Sequence, residues 1–133
     1  QRAQDAGVNV PEPLAIQKNV LVMKFIGKDG ERAPLLKEVV LEEPLAVFKL
    51  LLTYLRRLYR KGGLVHADLS EYNILIDPKD LSPVFIDMGQ SVTLEHPNAR
   101  EFLHRDVLNI LRYFSRFGIK ESPEELTSKI KAK

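Results

Sequence analysis

Two short segments of this chain carry oxygen-bearing side chains at spacings that could do chemistry. Residues 65–73 read Val-His-Ala-Asp-Leu-Ser-Glu-Tyr-Asn, so that Asp68 is followed five positions later by Asn73. Asp87 then opens an Asp-Met-Gly sequence after an apolar stretch. Carboxylate and amide oxygens are hard ligands of the kind that Mg²⁺ and Mn²⁺ prefer, and a further carboxylate can accept a proton from a nucleophile. We therefore predict a divalent-cation site formed by Asn73 and Asp87, beside a catalytic Asp68.

The same spacing is found in enzymes that transfer phosphoryl groups from ATP. Protein kinases carry an H-R-D-x-x-x-x-N loop and, further along, a D-F-G segment whose aspartate binds metal. Here His66 and Asp68 stand in the H-x-D relation, and Asp87 opens a D-x-G. Phosphoryl transfer depends on positioning and charge neutralisation more than on covalent work by the protein. We interpret His66 as a packed, hydrogen-bonded residue that holds the loop.

The apolar residues around these side chains predict a small sheet. Ile74–Ile76 and Pro83–Ile86 are apolar runs separated by the turn residues Asp77–Asp80. An antiparallel hairpin of these two runs would present Asn73 and Asp87 at adjacent strand ends. We expect the catalytic loop to be attached to this hairpin.

Helical periodicity covers most of the remaining chain. We predict one helix from Pro44 to Gly62-Gly63, a second from His96-Pro97 or Asn98 to Gly118, and a third that begins with a capping box at Ser122. The positions expected to be buried are Leu45, Phe48, Leu51, Leu52, Leu55, Leu58 and Tyr59 in the first helix, and Phe102, Leu103, Val107, Ile110, Leu111 and Phe114 in the second. The predicted fold class is α+β, a mainly helical lobe with a small β-sheet that carries the catalytic loop.

Composition is that of a globular protein. The chain has 133 residues, of which 44% are hydrophobic and 29% charged, and no run of eighteen apolar residues that could span a membrane. Cysteine is absent, which removes disulfides and thiolate metal sites and suits an intracellular, cytoplasmic protein. The net charge of +2 is too small to indicate nucleic-acid binding by itself. We interpret the basic cluster, defined as Arg56, Arg57, Arg60 and Lys61, as a solvated helix face or a charge complement to the helix C-terminus, with RNA contact as the alternative.

The amino-acid sequences of two segments indicate a particular protein family. GLVHADLSEYNILI and VFIDMGQSVTLEHPNAREFLHRDVLNILRYF closely resemble the RIO family of atypical serine protein kinases, and most of all its first subfamily. The resemblance covers essentially the whole chain. It implies a protein-kinase-like C-terminal lobe in residues 28–133, preceded in residues 1–27 by a remnant of the N-terminal lobe with its hinge strand. It also implies an ATP-dependent kinase or ATPase, with Mg²⁺ or Mn²⁺, that acts in maturation of the small ribosomal subunit.

The resemblance also implies roles for individual residues. Those that it places around the nucleotide are Met23 as gatekeeper, the backbones of Lys24 and Ile26 at the adenine edge, Pro34 near the ribose, and Ser70 and Tyr72 flanking the site. It implies that Asp68 is the catalytic aspartate and that Asn73 and Asp87 bind the metal ion. Relatives in the family are described as acquiring a phosphate on the matching aspartate, so Asp87 is also a candidate phosphate acceptor.

The sequence departs from ordinary protein kinases in two ways. No A-P-E follows Asp87, and the stretch before the next helical pattern is too short for the usual peptide-binding shelf; the RIO family shares this absence. No G-x-G-x-x-G loop and no V-A-I-K lysine are present either, and we expect the αC glutamate to lie just upstream of Gln1. We therefore predict that this segment alone does not transfer phosphate efficiently.

Two other functions remain open from the sequence. One is a small-molecule kinase of the aminoglycoside or choline type, which usually reads H-G-D-x-H-x-x-N; the Ser-Glu-Tyr at residues 70–72 argues against it. The other is a non-catalytic module that docks on pre-ribosomal RNA or protein through basic helices.

Overall fold

A computed structural model describes residues 6–8, 13–17, 20–23, 27–28 and 31–132, with side chains at 6–8 and 33–132. The strands are β1 (Pro13–Gln17), β2 (Val20–Met23), β3 (Gly27–Lys28), β4 (Glu31–Arg32), β5 (Leu64–Val65), β6 (Ile74–Ile76), β7 (Pro83–Phe85) and β8 (Val92–Thr93). They form four antiparallel pairs, β1–β2, β3–β4, β5–β8 and β6–β7. The helices are α1 (Pro44–Arg60), α2 (Ala99–Phe114) and α3 (Pro123–Lys131).

Helix α1 begins with Pro44 at a first-turn position, where its missing N–H costs nothing. Its buried face consists of Val47, Phe48, Leu51, Leu55 and Leu58. The prediction that Leu45 is buried is wrong, because its side chain is 51% exposed. At 100° per residue, Leu45 lies about 110° from the centre of the buried face, on a flank that no other described element covers.

Helix α2 packs its apolar side into the same core. The buried residues include Leu103, Val107, Ile110 and Phe114, as the periodicity predicted, and also Ala99, Asp106 and Tyr113, which it did not. Phe114 meets Phe48 of α1 edge to face, with ring centroids 5.1 Å apart. Helix α3 adds fully buried Leu126 and Ile130 against both longer helices.

The β6–β7 hairpin has two buried faces. Ile74, Ile76 and Phe85 belong to the main helical core, whereas Leu75 and Val84 form a separate cluster with Ala33. This alternation follows from the two-residue period of a strand. The hairpin therefore lies between the helices and a second apolar surface on its other side.

The basic cluster is not simply a solvated face. The Arg56 guanidinium donates to the carbonyl of Ala132 at 3.3 Å, just beyond α3. Arg57 donates to the carbonyl of Gly7 at 3.1 Å and lies over the Tyr54 ring. Arg57 and Arg60 lie in the last turn of α1, which fits the predicted charge complement, and Arg56 and Arg57 also join distant parts of the chain. No helix among the described residues is long and apolar enough to cross a membrane.

The start of α3 provides a test of the packing. The Ser122 hydroxyl oxygen accepts a hydrogen bond from the backbone N–H of Glu125 at 2.9 Å, which is one of the two bonds of the predicted capping box. We expect Ser122→Ala to lower the free energy of unfolding by about 1 kcal/mol, because an N–H at the helix start loses its acceptor. Urea denaturation of the full-length protein measures this. Ser128→Ala, an exposed change in the same helix, is the control; equal losses in both variants would refute the cap.

Candidate active site

The loop between β5 and β6 is joined to the end of β7 by one buried imidazole. His66 is fully buried. Its Nδ1 accepts a hydrogen bond from the backbone N–H of Asp68 at 3.2 Å, so the proton must reside on Nε2, which donates to the carbonyl of Ile86 at 2.7 Å. His66 thereby fixes the backbone at Asp68 relative to the residue that precedes Asp87. This is the loop-holding role that the sequence suggested.

Asn73 closes the same loop from its other end. Its amide nitrogen donates to the carbonyl of Asp68, and its Oδ1 accepts the backbone N–H of Ser70 at 2.8 Å. The Asn73 side chain is only 4% exposed. An amide oxygen has two lone pairs, so Oδ1 keeps one that is not used within the loop.

A carboxylate on α2 holds the middle of the loop. Asp106 is fully buried, and its two oxygens accept the backbone N–H groups of Ala67 and Leu69, both at 2.9 Å. The neighbouring side chains of Arg105 and Asn109 donate to the carbonyls of the same two residues, at 3.1 and 3.2 Å. Helix α2 thus pairs with both backbone polar groups of Ala67 and of Leu69.

These four hydrogen bonds from α2 to Ala67 and Leu69, which we call the clamp, allow an unusual backbone conformation. Ala67 has φ 75°, a left-handed conformation that residues with a Cβ adopt only at a cost of roughly 1 kcal/mol or more. The charge-assisted bonds to Asp106 can offset that cost. Burial raises the pKa of the Asp106 carboxyl above its ordinary 3.8, while the N–H groups of Leu69 and Ala67 and the Arg105 guanidinium act in the opposite direction.

The structure brings the three chemical residues to one edge of the hairpin. Ile86 N–H donates to the carbonyl of Asn73 at 3.0 Å, continuing the β6–β7 ladder. Asp87 is the next residue, only about 3.8 Å further along the Cα trace. Asp87 and Asp68 are both exposed, and Asp87 has a left-handed backbone, with φ 56° and ψ 46°. The geometry therefore gathers an amide oxygen and two accessible carboxylates.

The other predicted site residues lie at varying distances from this edge. The carbonyl of Pro34 accepts the N–H of Ile76 at 2.9 Å, so its segment extends the hairpin beside β6. The Ser70 hydroxyl oxygen accepts the N–H of Tyr72 at 3.2 Å and supports the turn. Tyr72 is 62% exposed, with the Lys37 ammonium 4.7 Å from its ring centroid. Ser70 and Tyr72 thus lie within the loop, and their predicted place beside the nucleotide stays a prediction.

The predicted hinge residues are only partly described. Met23 is the last residue of β2, with its backbone described and its side chain not. Lys24 and Ile26 lie outside the described residues. Their roles at the adenine edge stay predictions.

A divalent cation fits the donor set. Asn73 and Asp87 offer an amide oxygen and a carboxylate, and magnesium sites commonly use one or two protein ligands and fill the remaining positions with phosphates and water. Within the part of the chain that the structure describes, no group of three or more His, Cys, Asp or Glu side chains could hold a metal. Any ion here would therefore depend on the nucleotide for most of its ligands.

Sequence reasoning missed the residues of α2 that hold the loop. Asp106 occurs three residues after Leu103 and four before Ile110, so it lies within the apolar stripe of the helix. A carboxylate at such a position needs buried donors, which was a detectable signal. Nothing in the sequence says that the donors are Ala67 and Leu69.

Comparison with known proteins agrees with this geometry. A family model described as "RIO domain" matches residues 1–126. The chain belongs to the RIO family. The RIO-type serine/threonine-protein kinase Rio1 of Haloferax volcanii is 49% identical over 126 residues, which are 95% of this chain and 42% of that protein. Human serine/threonine-protein kinase RIO1 is 43% identical over 120 residues, 89% of this chain and 21% of that protein.

A solved structure shows the same fold. The crystal structure of the Rio2 kinase–ADP/Mg²⁺–phosphoaspartate complex from Chaetomium thermophilum has a TM-score of 0.76 and 29% identity, and covers 96% of this chain and 41% of that one. The predicted family and the predicted fold class, a protein-kinase-like lobe that is mainly helical with small sheets, are confirmed. The RIO chain described here spans less than half the length of each of these three relatives.

The clamp on the RIO loop can be tested at Asp106. We expect Asp106→Asn in the full-length protein to lower the free energy of unfolding by about 2 kcal/mol, because one loop N–H loses its acceptor and faces an amide N–H instead. Urea denaturation measures the loss, and amide hydrogen exchange at Ala67 and Leu69 should accelerate.

The matched control is Glu101→Gln, an exposed carboxylate on the same helix that should change stability by less than about 0.5 kcal/mol. Unchanged exchange at Ala67 and Leu69 in Asp106→Asn would show that α2 does not hold the loop.

Proposed function

We propose that the full-length protein containing this chain is an ATP-dependent atypical serine protein kinase or ATPase of RIO type. The observation that carries the proposal is the hydrogen bond from Ile86 N–H to the Asn73 carbonyl, which brings Asn73 and Asp87 to one strand edge. The Asn73 and His66 hydrogen bonds hold the backbone of Asp68 to the same edge. The kinase names of the relatives support the same activity.

An apolar cluster lies on the side of the hairpin that faces away from the helices, and we infer that a purine packs at its partly buried edge, beside Leu35 and Ile86. Leu75 and Val84 are buried with Ala33, and the partly buried Leu35 and Ile86 pack against them. This small cluster is separate from the main core. Because Ile86 directly precedes Asp87, a base on this surface would have its phosphates within reach of the metal ligands. The sequence reasoning assigned none of these residues to the nucleotide.

The residues of the edge have separable roles in the proposed mechanism. Asn73 and Asp87 would hold Mg²⁺, or Mn²⁺ in its place, and the ion would neutralise charge on the transferred phosphoryl group. The exposed Asp68 carboxylate would accept the proton of an attacking hydroxyl or orient it. Pro34, Ser70 and Tyr72 would border the nucleotide, with Met23, Lys24 and Ile26 on its hinge side.

Asp87 could also be the phosphate acceptor. It is exposed, and the Rio2 relative was crystallised as a phosphoaspartate complex. In this reaction an Asp87 carboxylate oxygen bonds to the γ-phosphorus as the bond to ADP breaks. Water then cleaves the acyl phosphate to release inorganic phosphate and regenerate the carboxylate. This is the ATPase form of the proposed function.

Three further inferences depend on the family resemblance. We place the boundary between a remnant of the N-terminal lobe and the C-terminal lobe near residue 27. We take the partner to be a precursor of the small ribosomal subunit and the location to be the cytoplasm, which suits a chain without cysteine. Docking through the basic cluster has less support, because Arg56 and Arg57 already bind backbone carbonyls within the chain.

Asp68 can be tested by removing its charge. We expect Asp68→Asn in the full-length protein to lower the rate of ATP turnover by a factor of about 10² or more, because an amide cannot accept the proton. Nucleotide affinity, measured by isothermal titration with ADP and Mg²⁺, should change little, since Asn73 and Asp87 remain. Glu95→Gln, an exposed change outside the loop, is the control. Turnover equal to that of the wild type would remove Asp68 from the mechanism.

The ATPase form predicts a covalent intermediate on Asp87. Incubation of the full-length protein with ATP and Mg²⁺, followed by borohydride reduction, should convert Asp87 to homoserine, because borohydride reduces acyl phosphates. Peptide mass spectrometry locates the change. A phosphoserine product with no reduced Asp87 would favour the kinase form instead.

A further inference from the structure

A groove lies on the side of the β6–β7 hairpin opposite the proposed purine surface. Its volume is about 540 Å³, and its walls are the segment before α1, the exposed start of α1 and the turn between β6 and β7. Ile76 contributes to its floor, on the strand face opposite Leu75. The groove is therefore separate from the edge that carries Asp68 and Asp87. It falls within the size range of sites that bind ligands in proteins.

Two apolar residues of the groove are exposed to solvent. Val40 is 90% exposed and Leu81 is 60% exposed. Leu81 also has φ 62°, a conformation that is costly for a leucine. Its N–H donates to the carbonyl of Asp77 at 2.7 Å, so the turn fixes this conformation. The turn accounts for the backbone of Leu81, but its large apolar side chain is left exposed beside exposed Val40, and adjacent exposed apolar side chains are typical of a surface that contacts a partner.

The rim of the groove is acidic. Glu42, Glu43 and Asp80 are among its eleven lining residues, and none of the eleven is a lysine, arginine or histidine. The Ser82 hydroxyl and N–H both donate to Asp80, and these bonds lower the pKa of that carboxyl so that it stays ionised. The acidic rim contrasts with the chain's net charge of +2. The neighbouring Lys79 is exposed but does not line the groove.

We propose that this groove binds an extended peptide segment of a protein partner, in which lysine or arginine residues flank large apolar side chains. The apolar side chains would pack against Val40, Leu50 and Leu81, and the cations would pair with the three carboxylates. The same carboxylates repel phosphate groups, so RNA is the wrong class of partner for this surface. The peptide site lies apart from catalysis and adds a function to the proposed one.

The test uses the full-length protein and arrayed synthetic hexapeptides that combine arginine, leucine and glycine in every order. Two matched arrays replace each arginine by glutamate or each leucine by serine. We expect binding to arginine–leucine peptides, with affinity at least about tenfold lower for the matched peptides, measured by fluorescence anisotropy on the strongest hits. Binding should weaken as salt is added, because the rim charges are exposed.

Two variants localise the binding. Glu42→Lys with Glu43→Lys should weaken the peptide at least about tenfold, whereas Glu124→Lys with Glu125→Lys, exposed on α3, should not. Leu81→Asn keeps a residue that tolerates the left-handed backbone but removes the apolar side chain. It should weaken the peptide with no fall in Tm. All three variants should keep wild-type ATP turnover, which separates this proposal from the proposed function.

The proposal is overturned by any of three results. One is the absence of binding by arginine–leucine peptides, or equal binding by all three arrays. Another is unchanged affinity in both Glu42→Lys with Glu43→Lys and Leu81→Asn. The third is that a single-stranded RNA probe binds the wild-type protein and that this binding is lost in Leu81→Asn.

Discussion

The buried carboxylate of Asp106 is the interaction on which the site depends. A buried negative charge is tolerated only where hydrogen-bond donors surround it. Here the donors are backbone N–H groups of the loop between β5 and β6. The dependence is mutual. The loop needs acceptors because Ala67 has left the conformations of regular structure, and the helix needs donors because it buries a carboxylate in its apolar stripe. Each arrangement therefore stabilises the other.

The β6–β7 hairpin also fixes the backbone at the two candidate metal ligands, Asn73 and Asp87. The His66 ring joins the loop to the last residue before Asp87, and the backbone pairing of Ile86 with Asn73 joins the two strand ends. Few of these contacts involve the side chains proposed to do chemistry. Asp68 and Asp87 are left exposed, and their positions are set by hydrogen-bonded neighbours, which are buried beside Asp68 and partly buried beside Asp87. This separation leaves the two carboxylates accessible while hydrogen bonds hold the backbone beneath them.

The helices, the hairpin and the candidate site residues could be predicted from the sequence, because each depends on a pattern of neighbouring residues. Apolar periodicity gave the three helices, a serine followed by Pro-Glu-Glu gave the start of the third, and apolar runs around a turn gave the hairpin. The three candidate chemical residues, Asp68, Asn73 and Asp87, followed from spacing, and their expected meeting at one edge followed from the predicted hairpin. Resemblance supplied the roles around the nucleotide, which spacing alone could not.

What could not be predicted depends on contacts between distant residues. The pairing of Asp106 with a loop nearly forty positions away leaves no periodic trace, and the same is true of Arg56 with Ala132. The exposure of Leu45 was missed because a helical stripe shows which residues share a face, and not where the covering elements stop. The two apolar faces of the hairpin look like one continuous run in the sequence, since both are buried.

Those two faces limit how the family can vary. An insertion of a single residue at the start of β6 would turn Leu75 toward the helices and Ile76 toward the opposite face, and one in β7 would exchange Val84 and Phe85 in the same way. Length changes are tolerable only at the tip, between Asp77 and Ser82. The tip is therefore the part of the hairpin that can change in length without reversing either apolar face, and it is the part that borders the groove.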